Sequence, residues 1–314
     1  MIPLRFHFIW IGREFPFVNR LAVESVLQTH PGAQVVVHSQ NPPENNADWE
    51  ALKQKVEFRP VDLNLWLRDL PPALQSLGGV LENVSASYPA GRSNILRYLI
   101  LHHEGGIYLD FDTLTLESFA PLLNDPAFIG EEEVFRCDDD RVAGRYTWDF
   151  PVMAALFGMS YGLSYANSRW LGNLGLLNAA DGGLKRMWAA RKLNNAVLGS
   201  ESGNPFFAKA LELIPETPAG MRFALGPMLM NRVYGTGASG SIRRLDRNVF
   251  YSIPPSQTFR FFQGPASVIP PEAVAIHWCS SNHRELAPAL TRNVLEKSSC
   301  LYARLAQKIM ARGI

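Results

Sequence analysis

The first sixty residues alternate between two hydrophobic periods, and that alternation constrains the fold more than any other feature. Leu4 to Ile11 (LRFHFIWI) is rich in β-branched and aromatic residues and reads as a buried strand closed by Gly12. Phe17 to Thr29 has helical spacing, with Val18, Leu21, Ala22, Val26 and Leu27 apolar. Gln34 to His38 is a second short buried strand, Asn45 to Lys55 a helix, and Val56 to Val61 a third strand. A β-α-β-α-β order predicts a parallel sheet with helices on its faces.

The next clear element is a helix over Gly91 to Glu104. Ile95, Tyr98, Leu99 and His102 form its stripe, and Gly105-Gly106 stops it. Leu63 to Tyr88 reads as helical pieces broken by Pro71, Pro72, Gly78 and Gly79. Ile107-Tyr108-Leu109 then forms a very short strand running into Asp110-Phe111-Asp112. Farther on, Val152 to Met159 is expected as a strand, and Gly203 to Ile214 and Gly226 to Tyr234 as helices. Ala273 to His277 is expected as a late strand, with Arg284 to Met310 mostly helical. No internal repeat or dividing linker is visible. One domain over 1–314 is therefore expected, in three parts, 1–115, 116–283 and a helical end at 284–314.

Composition narrows the function classes. The formal net charge is +1, so no global basic field argues for nucleic acid. The three cysteines, Cys137, Cys279 and Cys300, are far apart and form no CxxC pair. Neither a disulfide framework nor a zinc site is expected, and a reducing compartment fits. The opening residues show no basic segment followed by an apolar run, so no signal peptide is expected. No stretch reaches the roughly 20 apolar residues of a membrane span. The expected location is cytoplasmic.

Asp110 and Asp112 stand two apart, and in an extended segment such residues point to one side. At the carboxyl end of a strand they make an oxygen-rich site where open α/β sheets bind ligands. Such a site suits a hard divalent cation that bridges a diphosphate. A bare pair of aspartates is most often a solvated turn. Here a helix stop and a buried strand precede it, and burying uncompensated carboxylates would be costly. Asp138-Asp139-Asp140, in a polar stretch, reads as a solvated loop.

Ser93-Asn94-Ile95-Leu96-Arg97-Tyr98 through Glu104-Gly105-Gly106-Ile107-Tyr108-Leu109-Asp110-Phe111-Asp112-Thr113 resembles the DXD sugar-binding region of glycosyltransferase family 32. Ile2-Pro3 through His7-Phe8-Ile9-Trp10-Ile11-Gly12 resembles that family's opening strand. Weaker echoes follow at Gly203-Asn204-Pro205-Phe206-Phe207, Leu225-Gly226-Pro227 and Ala275-Ile276-His277-Trp278. The family includes capsule and lipooligosaccharide transferases and is related to clostridial glucosylating toxins.

The resemblance implies a GT-A fold, a nucleotide-sugar donor, a divalent metal (Mn²⁺ or Mg²⁺) and retention of anomeric configuration. By position, it makes Asp112 the direct metal ligand. Asp110 would hold the ribose or donor sugar and reach the metal through water, and Arg97 would reach the donor sugar or diphosphate. Trp10 would stack near the nucleobase, with Ile9 beside it. His277 would be a third metal ligand or a diphosphate contact, and Ser280-Ser281-Asn282 would close over the diphosphate. Asn94 stands where the family usually has Asp. It can hydrogen-bond sugar hydroxyls but carries no charge, which puts the donor-sugar preference in doubt.

Plainer roles stand beside these. Arg97 can serve a structural carboxylate, Trp10 can pack in the core, and His277 can be a core histidine. His7 and the adjacent His102-His103 read as structural. Arg292 to Arg312 reads as one basic helix with Leu295, Leu301, Leu305 and Ile309 as its apolar face. It can pack on the domain or attach peripherally to an anionic membrane.

The function expected is transfer of a sugar, from a UDP-sugar first and GDP-mannose second, to a hydroxyl of a glycan or lipid-linked acceptor. Three alternatives stand: a protein-modifying effector, a non-catalytic sugar-nucleotide-binding protein, and a metal phosphohydrolase.

Overall fold

The computed structural model describes residues 1–68, 70, 74–84, 88–136, 150–172, 174–218, 220–221, 223–263 and 268–312. Cys137, Asp138-Asp139-Asp140, Pro71 and Pro72 lie outside them. The amino-terminal alternation folds as β1 (Arg5–Ile11), α1 (Phe17–Thr29), β2 (Gln34–Gln40), α2 (Ala47–Lys53) and β3 (Glu57–Pro60). Asn46 caps α2, accepting from the Trp49 backbone N–H at 2.9 Å. α3 (Leu63–Arg68) and α4 (Leu77–Asn83) follow, then α5 (Pro89–Glu104), β4 (Gly106–Leu109) and β5 (Thr113–Thr115). Gly78 and Gly79 lie inside α4 rather than breaking it. Leu77 and Leu81, one turn apart, are fully buried, and their packing outweighs the roughly 1 kcal/mol that each glycine costs a helix.

The chain then contributes β6 (Ala127–Phe135), β7 (Ala189–Ser200), β8 (Arg243–Leu245) and β9 (Ala275–His277). Seven strands form one sheet in the order β3-β2-β1-β4-β7-β6-β8, and β5 pairs with β9 apart from it. Within the described sheet only β7 runs against its neighbours. The sheet is thus mainly parallel and flanked by helices, as the expected α/β class requires.

Alternation along the strands builds two cores. Phe6 and Phe8 of β1, and Ile107 and Leu109 of β4, pack with Val23 and Val26 of α1 and Trp49 of α2. Ile9 and Tyr108 face the other way, onto Leu96, Tyr98 and Leu99 of α5. β4 must lie tight against its surroundings. A Cβ on Gly105 (φ +64°) would meet Ser200 O at 2.8 Å, and one on Gly106 (φ +99°) would meet Arg5 O at 2.7 Å. Only glycine tolerates both the backbone conformation and the contact.

Two expectations are corrected. Val152 to Met159 is helical, within the helix Phe150–Arg169. Its unbroken apolar run suits strand and helix alike by periodicity, and length together with Ala, Leu and Met favours the helix. The basic carboxyl-terminal helix is two helices, Arg292–Lys297 and Leu301–Ala311. Ser298 is extended at ψ 145°, and Cys300 caps the second helix. Leu295, Leu301 and Ile309 are buried with Trp278 and Phe261, so this apolar face serves the interior and not a membrane.

Candidate active site

β1 pairs with β2 along its whole length, through Ile11↔Gln40, but with β4 only through His7↔Tyr108. Beyond that point β1 and β4 part. The strand order also reverses here, because β2 and β3 lie on one side of β1 and β4 on the other. A crevice at the carboxyl ends of parallel strands, where the order reverses, is the ligand position of open α/β sheets. Trp10 stands on its β1 side and Asp110 on its β4 side.

Asp110 ends β4, its N–H donating to Ala196 O at 2.9 Å. Phe111 and Asp112 form a turn, closed by Thr113 N–H to Asp110 O at 3.1 Å. The two carboxylates therefore converge through a turn and not through the expected extended alternation. β5 then pairs antiparallel with β9, setting Thr113 opposite His277. That pairing delivers His277 Nε2 to 3.2 Å from Asp112 Oδ1, and the Ser280 N–H donates to Asp112 Oδ2 at 2.8 Å. Ligand atoms of Asp110, Asp112 and His277 all lie within 4.8 Å of one another. The side chains of Asp110 and Asp112 keep 27% and 15% of their exposure, so the cluster opens to solvent. Two carboxylates and an imidazole at this spacing fit a divalent cation such as Mn²⁺ or Mg²⁺.

Arg97 and Asp110 are locked together. Nη1 and Nη2 of Arg97 reach Asp110 Oδ2 and Oδ1 at 3.2 and 3.0 Å. Nη1 also donates to Asn195 O at 2.6 Å, Nη2 to Ser93 Oγ at 3.1 Å, and Nε to Ser93 O at 3.3 Å. The guanidinium lies over the Tyr108 ring at 4.3 Å, and the Tyr108 hydroxyl donates to Asp110 Oδ1 at 2.6 Å. All five guanidinium N–H groups are thus engaged within the protein. The geometry directs Arg97 at Asp110.

The electrostatics follow from these contacts. Burial opposes the charge on Arg97, but Asp110 and the neighbouring tyrosines outweigh it and raise its pKa. Burial raises the pKa of Asp110 against the pull of Arg97. Burial would also raise Asp112, but His277 and the Ser280 N–H hold it at about 2. For His277, burial disfavours the imidazolium, and Cys279 and Asp112 overcome it to raise the pKa well above the usual value.

Trp10 is partly buried, edge-on to Phe15 and Phe111 at 5.3 and 5.4 Å, and its Nε1 has no protein acceptor among the described residues. Ile9 is buried in the core on the opposite face of β1. Asn94 is buried and accepts from Asn195 Nδ2 at 2.8 Å, and Asn195 Nδ2 also donates to the Tyr98 hydroxyl at 2.8 Å. Gly226 presses on this pair, since a Cβ there would be 3.0 Å from Asn94 Nδ2. Ser281 is exposed in the turn after Ser280. His7, His102 and His103 stand apart from the cluster. His7 lies between His38 (3.1 Å) and Gly105 O (3.0 Å), and His103 Nε2 meets Trp66 O at 2.8 Å.

Glu132 escaped the sequence reading. Its Oε1 faces His277 Nδ1 at 3.8 Å, and its Oε2 accepts from Asn194 Nδ2 at 2.6 Å. Together with Cys279, whose Sγ is 3.5 Å from His277 Nδ1, it backs the imidazole on the side away from Asp112. The only signal was the Glu131-Glu132-Glu133 run between apolar residues, which a strand splits onto two faces.

The chain is similar to several solved structures. The PaToxG glycosyltransferase structure is 16% identical, covering 76% of this chain and 71% of its own, at a TM-score of 0.43. Galactosyltransferase LgtC, solved with donor and acceptor sugar analogs, is 13% identical over 98% of this chain and 95% of its own, at 0.45. The UDP-bound glycosyltransferase domain of the YGT toxin is 11% identical over 77% and 79%, at 0.41. No curated protein sequence matches the chain. The family described as glycosyltransferase sugar-binding region containing DXD motif matches residues 16–129, which hold Trp49, α5, β4 and both aspartates. That match spans less than half of the chain; over it the chain is similar to glycosyltransferases with a DXD-containing sugar-binding region, which supports a glycosyltransferase.

Proposed function

We propose that the chain transfers a sugar from a nucleotide-sugar, with UDP-sugars favoured over GDP-mannose, to a hydroxyl of a glycan or lipid-linked acceptor, with retention of configuration. The observation that carries this reading is the convergence of Asp110, Asp112 and His277 at the crevice where β1 and β4 part. Asp112 and His277 would hold a divalent cation directly, with Asp110 beside them. Bound there, the cation supplies neutralisation of the charge that develops on a leaving nucleoside diphosphate.

The protein's own groups do the rest. Arg97 and Tyr108 fix both oxygens of Asp110, so its carboxylate is presented without reorganisation. Arg97 is accordingly a positioning residue. His277 binds through Nε2 only when that nitrogen is unprotonated, and Glu132 favours the tautomer with its proton on Nδ1. Trp10 offers an aromatic edge at the nucleobase end, and Ser281 lies on the diphosphate side. In the transfer, the bond from the anomeric carbon to the leaving phosphate oxygen breaks. The acceptor hydroxyl oxygen bonds to that carbon from the same face, and its proton passes to the departing phosphate.

A thermal-shift panel of UDP, GDP and their sugars, with and without Mn²⁺, tests the reading. A shift that needs both nucleotide and cation supports it. A shift with neither, or release of inorganic phosphate without sugar transfer, overturns it.

A further inference from the structure

Helix Phe150–Arg169 is built inside out. Its buried residues are Ser160, Ser164, Asn167 and Ser168, while Val152 and Met159 are 57% and 61% exposed. It packs against helix Gly175–Trp188 through polar bonds and through Phe157, whose ring meets Trp188 at 5.0 Å. Ser160 Oγ donates to Asp181, Asn167 Nδ2 to Asn178 Oδ1 at 3.0 Å, and the Leu174 N–H to Asn167 Oδ1 at 2.8 Å. The turn joining the two helices carries Trp170 and Leu174 at 72% and 54% exposure, and Leu176 at 82% follows. Of the thirteen large apolar side chains exposed among the described residues, eight fall between 152 and 187. The apolar surface is therefore concentrated on this hairpin, and such concentration marks an interaction face.

Charge selects the partner. The hairpin holds Arg169, Lys185 and Arg186, and its one acid, Asp181, is buried and paired with Lys185 at 3.1 Å. Beside it lies a cavity of about 540 Å³ lined by Lys185, Arg186, Arg191, Arg247 and Arg260, against Glu133 and Asp181. The cavity's Lys185, Arg191 and Arg247 are ion-paired with Asp181, Glu131, Asp246 and Glu133. Arg169 beside Trp170 and Arg186 are exposed, however, and the hairpin has no exposed acid of its own. An apolar tip with this charge complements the headgroup boundary of an anionic bilayer. No helix among the described residues is long and apolar enough to cross a membrane, so the contact is lateral docking.

We infer that the hairpin 150–188 docks the protein onto an anionic lipid surface. The hairpin packs on the segment Pro255–Phe261, which adjoins the turn that holds Asp112. Tyr161 and Tyr165 contact the Phe259 ring at 5.3 and 5.2 Å. Within the segment Pro255–Phe261, Thr258 Oγ1 lies 3.0 Å from His283 Nε2, and Asn282 Nδ2 donates to Pro255 O at 2.9 Å. Ser280 of that same turn donates to Asp112. A docked bilayer is thus linked to the acidic pair through the hairpin, the segment Pro255–Phe261 and the Ser280 turn in succession. That an acceptor is lipid-linked rests on the transfer reading; the docking itself does not.

The test is flotation of the full chain with vesicles of phosphatidylcholine alone, and with one third phosphatidylglycerol. Binding is expected only to the anionic vesicles and is lost at high salt. Arg186→Glu weakens it by about fivefold or more. Trp170→Ser with Leu176→Ser, both at exposed positions, weakens it by about tenfold or more. Failure of the wild type to float, or flotation of the double variant as well as the wild type, overturns the inference. So does a wild-type dimer that the double variant converts to a monomer without vesicle binding, which would make this a self-association face. Transfer to a soluble acceptor by the double variant is a separate readout, so loss of docking and loss of transfer remain distinguishable.

Discussion

His277 presents one ring nitrogen to each of two carboxylates: Nε2 lies 3.2 Å from Asp112 Oδ1, and Nδ1 lies 3.8 Å from Glu132 Oε1. Glu132 is held in turn by Asn194. An imidazole backed by a carboxylate in this way is oriented and made more basic for a cation on its other side. Glu132→Gln should weaken Mn²⁺ binding by about 10- to 100-fold by titration calorimetry, with the thermal midpoint nearly unchanged. Unchanged affinity would remove Glu132 from the site.

Asp112→Asn removes the carboxylate that His277 and Ser280 hold ionised. The variant should lose Mn²⁺-dependent nucleotide binding and at least about 100-fold in transfer rate. Transfer at the wild-type rate with Mn²⁺ present would sink the assignment of Asp112 as ligand.

The Arg97–Asp110 pair should show strong coupling in stability. Arg97→Met leaves Asp110 beside Tyr108 without its counter-charge and should cost about 3–5 kcal/mol in urea unfolding. Adding Asp110→Asn should recover part of that loss. Equal and additive single losses would show the pair to be uncoupled.

Gly106→Ala should destabilise by more than the about 1 kcal/mol of a simple conformational penalty. Its Cβ meets backbone at 2.7 Å, where nothing flexible can yield. A midpoint unchanged in a thermal melt would contradict this.

Burial lowers the pKa of His7 to about 3. The unfolded chain then binds more protons than the folded one between that value and about 6.5. The stability from neutral His7 is fully present above the upper limit and is lost as pH falls through this window. From pH 7.5 to 5 the loss should be on the order of 2 kcal/mol. His7→Asn should flatten that part of the pH profile, as read from urea midpoints.

The sequence by itself determined the amino-terminal half. The periods of β1 through β3 and the double glycine before β4 are local signals, and each came out where local chemistry put it; the Asp110–Asp112 spacing marked the site but not the turn that joins its two carboxylates. The long strands β6 and β7 were not legible, because their glutamates, lysine, arginine and asparagines hide the alternation until neighbours are in place. Val152 to Met159 was misread as a strand for a related reason: apolar runs declare burial, and here the fully buried residues of the helix are polar. Only the tertiary structure decided how the site is assembled. It turned Arg97 onto Asp110, bent the two aspartates together, and brought His277 and Glu132 to them through the β5–β9 and β6–β7 pairings. Those contacts join residues far apart in the chain, and strand pairing, which no local period encodes, is the physical interaction that selects them.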